Sequence, residues 1–275
     1  MKTKTLAVLA TAIIAATSWQ ASAKEQTVTN AQLADQATLA VDWTQQSGEY
    51  RALAYQAFNV ARMSFDKIRQ EAKENGSKEK LAVVVDLDET MINNSAYAAW
   101  QIKHGTSFSP KTWSEWVHSE ESRAIPGAVA FSKYIDSHGG TVFYVSNRSE
   151  KNLKPTMANL KKLGFANVTD KTVLLKTTTS DKKPRREKIM GEGYKIVMLL
   201  GDNLNDLDSK VIGKSNKIRR EHVDAEKALY GVKYIVLPNP TYGGWEAGMA
   251  KDYYQLNNAG KSKLRHDVLY SWNGK

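Results

Sequence analysis

"LAVVVDLDET", residues 81–90, runs five apolar residues straight into a cluster of acids in which Asp86 and Asp88 flank a single leucine. The run is β-branched and unalternating, the pattern of a strand buried on both faces of a parallel sheet. Unpaired carboxylates are a poor way to finish a core. They are a good way to hold a cation at the rim of a sheet.

Four more compact apolar runs follow, at 141–145, 172–175, 196–200 and 232–237. Helical stretches lie between several of them. One covers about 154–163, with Pro155 in its first turn and Gly164 as a stop, and another about 184–191. Before the first strand, residues 30–74 read as helix, interrupted at Ser47-Gly48 and ended by Asn75-Gly76-Ser77. Leu53, Ala57, Val60, Ala61, Ser64, Phe65 and Ile68 form its expected buried stripe. Alternating strand and helix predicts an open, doubly wound α/β fold. The segment 93–127 breaks the alternation and carries Tyr97, Trp100, Phe108, Trp113 and Trp116. It reads as a cap over the carboxyl edge of the sheet.

The other strands also end in polar groups. The second closes on Ser146-Asn147-Arg148 and the fourth on Gly201-Asp202-Asn203-Leu204-Asn205-Asp206, while Lys182-Lys183-Pro184 precedes a helix. Ligands of open α/β sheets bind beyond the carboxyl ends of the strands, so these groups should converge on one crevice. Carboxylates held together there repel, by about 4 kcal/mol per pair at ~4 Å and an effective dielectric of 20. A divalent cation removes that repulsion, and an all-oxygen set without His or Cys selects Mg²⁺ over zinc. Beside it, a lysine and a serine hydroxyl suit the oxygens of a phosphoryl group. One carboxylate can then attack phosphorus while its neighbour moves a proton. A calcium loop does not fit, because its sixth position is Met91 and its twelfth Tyr97. Arg148 reads equally as a substrate contact or a surface charge.

The first 23 residues have Lys2 and Lys4, an apolar stretch and a close on Ala21-Ser22-Ala23, the layout of a cleaved signal peptide. Residues 24–275 then read as one domain, exported to the periplasm or beyond. The chain has no cysteine, so it has neither disulfides nor a lipidation site for a membrane anchor. The net charge is +10. It suits an anionic substrate, and without a long basic run or zinc-finger spacing it does not indicate a nucleic-acid polymer.

Asp86-Leu87-Asp88-Glu89-Thr90, Ser146-Asn147-Arg148, a lysine and the Gly201–Asp206 segment occur in the order of the four motifs of the haloacid dehalogenase superfamily. Within it, "VVVDLDETMINNSAYAAW", "SRAIPGA", "VFYVSNR", "GYKIVMLLGDNLNDL" and "LPNPTYGGWE" resemble the class C acid phosphatases, secreted or surface-anchored 5′-nucleotidases of the lipoprotein e type. The resemblance implies a Rossmannoid parallel sheet flanked by helices, with a small helical cap from about 28–76 and 93–127. It implies Asp86 as nucleophile, forming an aspartyl-phosphate, and Asp88 as general acid and base whose backbone carbonyl also meets Mg²⁺. Asp86 and Asp202 would be metal ligands, with Asp206 orienting that site. Ser146 and Asn147 would sit at the phosphate with Lys182, for which Lys183 and Lys176 are rivals. Trp113 and Tyr242 would stack the nucleobase or other leaving group. Family members often form homodimers. The competing expectation is a phosphate- or nucleotide-binding envelope protein without turnover, which the intact Asp86 disfavours.

Overall fold

A computed structural model describes residues 27–274. The signal-peptide expectation for residues 1–23 lies outside them. No helix among the described residues is long and apolar enough to cross a membrane.

Seven strands are present among these residues: β1 (Lys80–Val85), β2 (Ile92–Asn93), β3 (Arg123–Ala124), β4 (Gly140–Ser149), β5 (Val173–Lys176), β6 (Tyr194–Gly201) and β7 (Tyr234–Val236). Five form one sheet in the order β5-β4-β1-β6-β7, and every neighbouring pair is parallel. The five apolar runs are therefore the five strands of the sheet. The strand of the opening motif is its centre, so both of its faces are covered. Val83, Val85, Val142 and Tyr144 enter one apolar cluster, and Ala82, Val84, Phe143 and Val145 enter the other. That burial explains the missing alternation.

The helices flank both faces. Ile189 of helix Lys183–Gly191 and Leu207 cover one. Phe131 and Ile135 of helix Ala128–Ser137 and Leu160 of helix Leu153–Leu163 cover the other. Gly164 ends the last of these in the left-handed region (φ 83°), as its position in the sequence predicts.

The N-terminal stretch differs from expectation in two ways. It forms three helices, Asn30–Asp35, Thr38–Gln46 and Gly48–Glu74, with Ser47 capping the third by accepting from the Tyr50 amide at 3.0 Å. The third helix also turns a different face to the core. Its buried residues are Tyr50, Ala54, Phe58, Ala61 and Phe65, and they belong to the sheet's own core. The stripe is thus rotated from the expected one, and Leu53 is 41% exposed. Gly140 allows the close packing: a Cβ there would lie 2.7 Å from both Phe65 and Ile135. The first two helices join the insertion, where Thr38–Gln46 packs on helix Ser95–Lys103 and Gln45 donates to Ser95 at 3.2 Å. The cap comprises these, helix Pro110–Ser119, and the antiparallel pair β2 and β3 that closes the insertion at its base.

Candidate active site

The chain turns back sharply after β1. The Leu87 carbonyl accepts from the amides of Thr90, Met91 and Ile92, and Glu89 takes a left-handed conformation (φ 58°). Leu87 is wholly buried, which fixes Asp86 and Asp88 on the opposite, crevice side. From β6, Gly201 brings Asp206 close: a Cβ on Gly201 would lie 2.5 Å from that of Asp206. Asp206 is itself held by the turn, since it accepts from the Asn203 amide at 3.1 Å in a capping box.

Asp86, Asp202 and Asp206 meet at this point, with one carboxylate oxygen of each within 4.8 Å of the others. Lys182 reaches them from the N-terminal end of helix Lys183–Gly191. Its ammonium is 2% exposed, contacts Asp86, and lies 2.8 Å from Asp206. Lys183 and Lys176 do not share that burial, so Lys182 alone among the three rivals enters the cluster. Asp202 accepts from Thr90 at 3.2 Å and from Asn239 at 2.8 Å.

The charges do not balance. Three carboxylates face one ammonium, leaving two negative charges uncompensated. Burial pushes the Asp86 carboxyl well above the usual range, and Asp206, Asp202 and Asp88 push it further against the pull of Lys182. Asp202 is raised likewise by burial and then by Asp206. Burial would lower the Lys182 ammonium, but Asp206 and Asp86 outweigh it and hold it above its ordinary value. A dication would close this deficit, and three hard oxygen donors fit one. The fit rests on Asp206 as well as Asp86 and Asp202. The Asp88 carboxylate is not in that set and has partners of its own.

That side chain is clamped. Arg148 donates to Asp88 from Nε at 2.9 Å and approaches from NH2 at 2.8 Å, Asn94 donates at 2.9 Å, and Ser146 at 3.3 Å. Arg148 is 2% exposed and is neither of the two roles its sequence context suggests. Buried strand-end geometry, which a single sequence does not show, decided it. Glu89 is also buried without a cation among its hydrogen-bond partners. Burial and then Asp88 raise its carboxyl to about 7, although Tyr242 and Asn94 donate to it.

The remaining expected residues are spread around the rim. Ser146 is fully buried, while Asn147 is exposed and tied to Ser180 and Arg185. Trp113 is half-buried among Tyr97, Phe108 and the Arg148 guanidinium. Tyr242 is 43% exposed through its ring, yet its hydroxyl donates to Glu89 inside the site. Glu89, Asn94 and Asn239 were not singled out from sequence. The Asn-Asn-Ser turn at the cap's start was the available signal for Asn94.

The raised acids have a measurable consequence in metal-free protein. Glu89, Asp86 and Asp202 bind protons more tightly folded than unfolded, so they favour the fold below their ordinary pKa values. That contribution is lost as pH rises through the folded values, for Glu89 between 4.5 and about 7. Chelator-treated protein should therefore melt at progressively lower temperature across that window. Added Mg²⁺ should raise the melting temperature more at its upper end than at its lower end, which differential scanning calorimetry will resolve.

A central Asp-x-Asp strand completed by Ser146, Lys182 and the β6 acids places the molecule among the haloacid dehalogenase phosphohydrolases. The family model for subfamily IIIB of the HAD superfamily (acid phosphatase) matches residues 1–245, and the chain belongs to that family. It is similar in structure to the class C acid phosphatase of Bacillus anthracis, with a TM-score of 0.81 and 37% identity over 88% of this chain and 99% of that one. The same enzyme with tungstate bound matches equally. Among curated proteins, acid phosphatase 1 of Solanum lycopersicum is 27% identical over 194 residues, 66% of this chain and 68% of that protein. The stem 31 kDa glycoprotein of Glycine max is 27% identical over 167 residues, and the match spans 58% of its length.

Proposed function

We propose that the protein is an exported, Mg²⁺-dependent acid phosphatase acting on phosphomonoesters, nucleoside 5′-monophosphates above all, through an aspartyl-phosphate. The observation that carries this is the meeting of Asp86, Asp202, Asp206 and Lys182 at the carboxyl edge of the sheet. Tungstate, a tetrahedral oxyanion like phosphate, is bound in the Bacillus anthracis structure, which agrees with an oxyanion substrate.

In this reading Asp86, Asp202, Asp206 and the Asp88 carbonyl would hold Mg²⁺, which would offset the charge of the phosphoryl group. Lys182 keeps the Asp86 carboxylate aimed and, with Ser146, meets the non-bridging oxygens. An Asp86 oxygen forms its bond to phosphorus as the bond to the leaving oxygen breaks, and Asp88 gives that oxygen its proton. Asp88 then takes a proton from water, whose oxygen displaces Asp86 and yields inorganic phosphate. Trp113 and the exposed ring of Tyr242 supply flat surfaces for a base or aryl group. Export follows from the N-terminal sequence, and a homodimer from the family.

The purified mature protein should release inorganic phosphate from nucleoside 5′-monophosphates and aryl phosphates at mildly acidic pH. A chelator should abolish this and Mg²⁺ should restore it. Nucleotide binding without phosphate release under any of these conditions would sink the reading.

A further inference from the structure

Asn94 lies where the chain leaves β2 for the cap, and it is 4% exposed. One atom of its side-chain amide faces three donors: Trp116 Nε1 at 2.9 Å, Ser122 Oγ at 2.8 Å and an Arg148 terminal nitrogen at 3.3 Å. Indole and guanidinium nitrogens can only donate, so that atom must be the amide oxygen. The amide nitrogen is thereby committed to Asp88 Oδ1, 2.9 Å away.

The same Oδ1 accepts from Arg148 Nε at 2.9 Å, and the guanidinium NH2 stands 2.8 Å from it as an ion pair. Two side chains, the Arg148 guanidinium and the Asn94 amide NH2, thus hold Oδ1. Oδ2 faces the rotatable Ser146 hydroxyl at 3.3 Å, and Arg148 Nε more distantly at 3.2 Å than it lies from Oδ1. The clamp is also joined to the cap helix Pro110–Ser119 at two points. Trp116 bonds Asn94, and Trp113 stands over Arg148 with its ring centroid 5.6 Å from the guanidinium carbon.

We infer that Asn94 and Arg148 are positioning residues that hold the Asp88 side chain in one orientation, and that the two cap tryptophans hold this clamp in place. The inference rests on the phosphomonoesterase reading and refines it. In that reading Asp88, so oriented, gives a proton to the bridging oxygen as the phosphorus–oxygen bond breaks. An alkoxide leaving group needs that proton, whereas a nitrophenolate leaves with little help. The clamp therefore governs turnover of alkyl phosphomonoesters, nucleotides among them, and matters little for activated aryl esters.

The test compares kcat/KM for glycerol phosphate and p-nitrophenyl phosphate, with Mg²⁺ present, in the wild type, Asn94→Ala and Trp116→Phe. The ratio kcat/KM reports only steps through phosphoryl transfer, so later hydrolysis of the intermediate does not blur it. Asn94→Ala should lose about 10- to 100-fold on glycerol phosphate and under about 3-fold on the aryl ester, within the range that general acid catalysis supplies. Trp116→Phe, which deletes only the indole donor at that bond, should shift the same way by less, and it carries the test if Asn94→Ala does not fold. Equal losses on both substrates, or none, would overturn the inference alone. A wild type inactive on both would overturn the phosphatase reading and the inference with it.

Discussion

Asp86→Asn should abolish phosphate release, lowering kcat by about 10⁴-fold or more, because the amide cannot form the phosphoryl-enzyme bond. The variant should nonetheless fold. Asp86 is buried beside Asp202 and Asp206, and its charge is the one that burial and both neighbours oppose. Removing it leaves Lys182 paired with Asp206 at 2.8 Å and one uncompensated negative charge in place of two. Metal-free Asp86→Asn protein should thus melt at or above the temperature of metal-free wild type. Phosphate release assays and calorimetry on the same sample check both halves. Near-wild-type turnover would remove Asp86 from the nucleophile's place.

Lys182→Met should fail in the opposite sense. Among the described residues the ammonium is the only cation paired with the carboxylates of Asp86 and Asp206, and it is as buried as they are. Stripping one partner from a buried ion pair costs about 3–5 kcal/mol, since the remaining charges stay in place without compensation. At about 2–4 °C per kcal/mol for a chain of this size, melting in chelator should fall by roughly 10 °C. Divalent cation should recover part of that loss, because it supplies positive charge to the same carboxylates. Activity should not return with it. A phosphoryl oxygen loses its cationic partner, so kcat/KM should remain down by about 10²–10³-fold even with saturating Mg²⁺. A variant as stable as wild type in chelator would mean that the three acids do not share this site.

These two substitutions separate charge balance from chemistry. Both remove turnover, yet one relieves the metal-free fold and the other weakens it. The difference follows from counting charges where Asp86, Asp202 and Asp206 meet: three acids there face one ammonium, that of Lys182.

The sheet was legible from sequence because strands buried on both faces must be apolar throughout, and such runs stand out against the helices. Their polar ends were legible for a related reason. A buried strand that stops at Asp86, Ser146 or Asp202 has to deliver those side chains to the same edge. The cap's aromatic insertion was visible as a break in that rhythm.

Other features depend on packing that no local pattern encodes. Lys182 differs from Lys176 and Lys183 in that its position capping the helix turns its ammonium into the acid cluster, whereas Lys183, one residue on, faces Glu187 at the surface. Arg148 became a clamp on Asp88 because β4 and the turn after β1 lie side by side. Residues 48–74 had the period of an amphipathic helix, but which face was buried waited on Gly140 admitting Phe65 to the sheet. Periodicity and composition are set by each residue's own need for water or its absence, so the chain alone fixed strand identity and the residues at strand ends. Partnership between side chains tens of residues apart is set by where strands and helices come to rest, so the tertiary fold alone decided which cation meets which acid.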